Sequence, residues 1–148
     1  MHPPRMLFVL VTVAAFGAWL VALFRDVSVG VTDAYAVEWV SGIVIDFMEA
    51  NQGRWPTCSD DLRAPYQAAT RQYTCPCSFE ELQARVQVDW DADPSELVTA
   101  NTDGQSPPFK VIWLSAGRDD HVVLEPNQRV RDYLNRKATE TRQRENGR

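Results

Sequence analysis

Histidine and cysteine are scarce in this sequence, with two of the first and three of the second in 148 residues. His2 precedes a long apolar run, so any acid–base chemistry would fall to His121, whose neighbours Asp119 and Asp120 lie along a turn and do not make a triad. No H-E-x-x-H, G-x-S-x-G, G-x-G-x-x-G or phosphate-loop motif occurs, which removes the common metallohydrolase, serine-hydrolase and nucleotide-binding classes. No catalytic residue is assigned, and the chain reads as a non-enzyme. Cations are also scarce over the body of the chain. Residues 26–128 hold six against seventeen acids, and residues 129–148 reverse the balance with seven cations and three acids. An acidic body of this kind excludes nucleic acid as a partner.

Charge is missing altogether from Met6 to Phe24, a nineteen-residue run bounded by Arg5 and Arg25. At ~1.5 Å per residue a helix of that length spans ~28 Å, close to the ~30 Å of bilayer hydrocarbon. The run therefore predicts an uncleaved transmembrane helix over 6–25 and a single-pass protein with the lipid bilayer as its first partner. A short positive tail, residues 1–5, would stay cytoplasmic and the domain would be extracytoplasmic. Another envelope protein is the second partner such a placement suggests.

Beyond the run, Val37, Val40, Ile43, Val44, Phe47 and Met48 recur at helical spacing, with Glu38, Asp46 and Glu49 between them. They predict an amphipathic helix over about 33–51, continuous with the apolar run through Gly30, or starting afresh at a Thr32 or Asp33 cap. Gly53 suits the left-handed position after its end. A short helix carrying Asp60 and Asp61 follows, ended by Pro65, and 64–77 reads as a loop. Ser78-Phe79-Glu80-Glu81 is a capping box that opens another short helix. Val86, Val88 and Trp90 alternate with polar residues as a strand, and Phe109–Leu114 and His121–Leu124 read as a hairpin. Asn127 can cap a last helix through Val130, Tyr133 and Leu134, and residues 138–148 read as a flexible charged tail.

The fold class expected is thus α+β. An N-terminal transmembrane helix continues into an amphipathic helix packed on a small three-stranded antiparallel sheet, closed by a C-terminal helix, with the domain at 26–137.

Two clusters are candidate sites. Cys58, Cys75 and Cys77 can supply one disulfide with one thiol left over; pairing Cys58 with either of the others closes 17 or 19 residue steps, for about 3 kcal/mol. The alternatives are a thiol-redox pair or a zinc site of the three with His121, although Cys-x-Cys is not the usual ligand spacing. Asp89, Asp91, Asp93 and Glu96 present carboxylates that could ligate calcium, without the Gly and Glu positions of an EF-hand. No cofactor is assigned, with calcium at these carboxylates as the alternative.

Phe47-Met48-Glu49-Ala50-Asn51-Gln52-Gly53-Arg54-Trp55-Pro56-Thr57, followed by Asp61-Leu62, resembles the helix end of the type IV pilin-like fold, in particular the major pseudopilins of type II secretion. The resemblance covers about sixteen residues. It implies a long N-terminal helix leading into a small antiparallel sheet, and it adds an analogy for calcium in a sheet-side loop. A prepilin leader, with Gly before Phe or Met and Glu five residues on, is absent, so the resemblance implies a fold and not filament assembly.

Overall fold

The structure is a computed structural model, and it describes residues 4–94, 110–117 and 126–147. One helix dominates it. α1 runs Pro4–Ala50 without a break, passing through Gly30, where one glycine costs only ~1 kcal/mol of helix propensity. Its end is built locally. Gln52 and Gly53 take positive φ, at 58° and 84°, and Gly53 N–H donates to Met48 O at 2.7 Å while Asn51 Nδ2 donates to Phe47 O at 2.8 Å. These bonds satisfy carbonyls that the last turn would otherwise leave bare.

A 3-10 turn at Ser59–Leu62 leads directly into α2, Arg63–Gln72. The expected loop over 64–77 is thus corrected over most of its length. Pro65 is the third residue of α2, in the first turn, where its missing N–H has no partner to lose. α3 covers Phe79–Arg85. Ser78 N–H donates to Glu81 Oε2 at 2.7 Å and Glu81 N–H donates to Ser78 Oγ at 3.2 Å, the reciprocal pair of a capping box. β1, Val86–Val88, pairs antiparallel with β2, Ile112–Leu114, setting Gln87 opposite Trp113. α4 runs Pro126–Asn146. Residues from 138, read from sequence as a loose tail, continue this helix to Asn146, with the Thr139 and Thr141 hydroxyls donating to the carbonyls of Asn135 and Lys137.

The architecture is α+β, but two parts of the expected fold are corrected. Among the described residues the sheet has two strands, not three; the expected strand His121–Leu124 lies outside those residues. The outer edge of β2 is taken at Ile112 by the side chain of Asn127, whose Oδ1 accepts from Ile112 N–H and whose Nδ2 donates to Ile112 O, both at 2.9 Å. Nor is a transmembrane helix seen, since among the described residues no helix is long and apolar enough to cross a membrane. From Asp33 on, the same helix belongs to the folded head. The single-pass placement, with a cytoplasmic N-terminus and an extracytoplasmic domain, falls with that helix.

The core is a stripe of α1 wrapped by everything else. Ala36, Val37, Val40, Ile43, Val44, Phe47 and Met48 are all buried, at the spacing that keeps one helical face inward. Leu62, Phe79, Leu82, Val86, Val88, Ile112, Leu114, Val130, Tyr133 and Leu134 close around it.

Candidate functional site

The three cysteines lie in different environments. Cys58 is exposed just before the 3-10 turn, Cys75 is half-buried and Cys77 is buried, and all three are free thiols. The expected disulfide is therefore corrected. A bridge needs its Cα atoms within about 7 Å and Cβ vectors that converge, whereas Cys77 joins the core and Cys58 faces solvent. Tyr66 on α2 organises the loop between them, its hydroxyl donating to Cys77 O at 2.9 Å and its ring lying 5.3 Å from that of Phe79. Burial pushes the thiols of both Cys75 and Cys77 up from their ordinary value, and for Cys77 the neighbouring Cys75 adds to it. Such thiols stay protonated near neutrality and are poor nucleophiles. His121, the fourth ligand of the zinc alternative, lies outside the described residues.

The acidic stretch after β1 folds on itself. Asp91 N–H donates to Asp89 Oδ1 at 3.2 Å, an Asx turn, and Asp89 O accepts the indole N–H of Trp55 at 2.7 Å. Asp91 and Asp93 are exposed, and Glu96 lies outside the described residues. Among those residues no group of three or more His, Cys, Asp or Glu side chains is placed to hold a metal ion.

Two features remain as the candidate sites, the first of them marked by no sequence motif. The first is a groove of about 290 Å³ between α1, the 3-10 turn, α3 and β1, walled by side chains that include Val40, Leu62, Leu82 and Trp90, with Ser59, Gln83 and Gln87 as its polar members. Alternation at Val86 and Val88 disclosed the strand but not which of its edges would stay open. The second is the N-terminal part of α1. Phe16, Trp19, Val21, Leu23 and Phe24 are 59, 58, 69, 45 and 70% exposed, and Phe16 and Trp19 stack on each other with ring centroids 5.9 Å apart. Compared with protein-family models, curated proteins and solved structures, the chain matches none. Function must therefore be argued from these two surfaces.

Between them sits a pin. Asp33, buried on α1 where the helix enters the head, receives Arg85 Nη1 at 2.6 Å, so the exposed half of the helix leaves the head in a set direction.

Proposed function

We propose that the chain is a non-enzymatic interaction protein: a small α+β head carried on a long helix, whose exposed apolar half associates with the same half of other copies. The observation that carries this reading is the exposure of Phe16, Trp19, Val21, Leu23 and Phe24 on a helix continuous with the core. At 3.6 residues per turn, Phe16, Trp19 and Leu23 fall on one side and Val21 and Phe24 on others. A helix apolar on every side needs neighbours on every side. A bundle of identical helices supplies them, because each copy brings the same surface, whereas a single groove on one partner covers only one side.

The pilin-like resemblance is retained as a proposal about kinship. A long helix leading into an α+β head, and the exit Gly53-Arg54-Trp55-Pro56-Thr57, support it; the two-stranded sheet departs from it.

Sedimentation velocity on the full chain tests the association. Species larger than a dimer are expected, and a Phe16→Gln, Trp19→Gln, Phe24→Gln variant should run as a monomer with its near-ultraviolet spectrum kept. A monomeric parent chain would overturn the reading. So would uptake by phosphatidylcholine vesicles in place of self-association.

A further inference from the structure

The groove beside β1 offers backbone as well as side chains. Ser115 N–H donates to Arg85 O at 2.7 Å and Asp89 N–H donates to Val111 O at 2.9 Å, with Gln87 opposite Trp113. The Arg85 carbonyl, Gln87 and the Asp89 N–H thus turn towards β2, and Val86 and Val88 turn the other way. Val86 N–H is taken by Leu82 O. The Val86 carbonyl and both backbone groups of Val88 face the outer edge, and among the described residues no strand pairs there. Val86 and Val88 on one face of β1, and Gln87 on the other, all line the groove. Only an exposed edge lets both faces of a strand contribute.

Volume and charge narrow the occupant. A dry cavity of ~150 Å³ accommodates a benzene ring, so a groove of about 290 Å³ takes one or two apolar side chains. That volume lies at the lower end of the ~300–1,000 Å³ of pockets for whole small molecules. The surrounding elements are acidic: the 3-10 turn carries Asp60 and Asp61, α3 carries Glu80 and Glu81, and Asp89 and Asp91 follow β1. Arg63 pairs with Asp60 and Glu80, Arg54 acts on Asp61 and Arg85 pairs with Asp33, yet the acids of these elements outnumber the cations beside them.

We propose that this groove takes an extended peptide segment by strand addition to the outer edge of β1. An apolar side chain of the segment sits among Val40, Leu82 and Trp90, and Lys or Arg on either side of it faces the carboxylates. Main-chain hydrogen bonds supply affinity in this mode and the pocket supplies selectivity. The site is separate from the apolar half of α1 and holds whether or not copies associate through it.

The test uses the full chain and a fluorescein-labelled heptapeptide, Lys-Val-Lys-Leu-Lys-Val-Lys, followed by anisotropy. Saturable binding is expected. It should weaken at least tenfold when one alternate set of peptide amides is N-methylated and hold when the other set is, since only one edge of the incoming strand meets β1. Replacing Lys by Glu should weaken it at least tenfold. Gln83→Trp, which fills the groove, should abolish it, as should Val88→Pro, which removes an outer-edge N–H and no bond to β2. The α1 triple glutamine variant should bind as the parent does. Absence of saturable binding, equal response to both N-methylated sets, or full affinity in a folded Gln83→Trp variant would each overturn the proposal.

Discussion

Arg85 reaches across 52 residues to Asp33, and the 2.6 Å contact between its Nη1 and the Asp33 carboxylate ties α3 to the point where α1 enters the head. The two partners are unequal: the Asp33 side chain is 9% exposed and that of Arg85 33%. Removing one member of a buried pair leaves the other desolvated and uncompensated, a loss of ~3–5 kcal/mol for full burial. Arg85→Ala takes the guanidinium from the more deeply buried partner and should cost about 2 kcal/mol, whereas Asp33→Asn leaves an arginine that can turn to water and should cost about half of that. Urea denaturation of both variants and their double mutant checks the order. Equal losses would mean that the pair does not govern the junction.

Asn127 should behave as part of the sheet. Its side chain accepts from Val111 and Ile112 N–H at 2.8 and 2.9 Å and donates to Ile112 O at 2.9 Å, all buried. Asn127→Ala leaves buried backbone groups unpaired at ~1–3 kcal/mol for each group that water cannot reach, and a total near 3 kcal/mol is expected. Hydrogen exchange at the Val111 and Ile112 amides should accelerate far more than at Leu82. Unchanged exchange at Ile112 would refute the role.

Thiol reactivity should follow burial. With a disulfide-exchange reagent near pH 7.5, Cys58 is expected to react within seconds, Cys75 slowly, and Cys77 only after denaturation. Because burial raises the Cys75 thiol above its ordinary value, its rate should still be climbing above pH 9. A mass spectrum showing one rapid adduct at Cys58 fits this order, and rapid labelling of Cys77 contradicts it.

Acid should weaken the start of α3. The Ser78 N–H and hydroxyl hold the Glu81 carboxyl below its ordinary value, and Thr57 does the same for Asp61, backbone N–H first in each case. A folded-state value below the unfolded one gives a contribution present above the unfolded value and lost as pH falls through the folded one. Stability should thus be level in these two groups above about pH 5 and decline below pH 4. Glu81→Gln should flatten part of that decline in a pH series of thermal melts. An unaltered slope would show that the capping box does not carry it.

What could be read from the chain was local. The stripe from Val37 to Met48, the Gly53 exit and the Ser78–Glu81 box each lie within a few residues, and helix period and capping chemistry act at that range. Asp33 and Asn127 show where such reading stops. Both suit a helix cap, yet Asp33 lies well inside α1 and Asn127 one residue into α4, and their bonding partners are 52 and 15 to 16 residues away. Pro65 likewise reads as a stop, yet stands in a first turn, because its effect depends on where the helix starts.

Composition and period alone settle that a long N-terminal helix carries an apolar stripe, and that the chemistry-bearing motifs of common enzymes are missing. Those are properties of residue type and spacing, which act along the chain. Which cysteine is buried, which strand edge stays open and where α1 changes from exposed to enclosed were decided only when distant segments met. Burial and strand pairing are relations between segments, and no local pattern contains them.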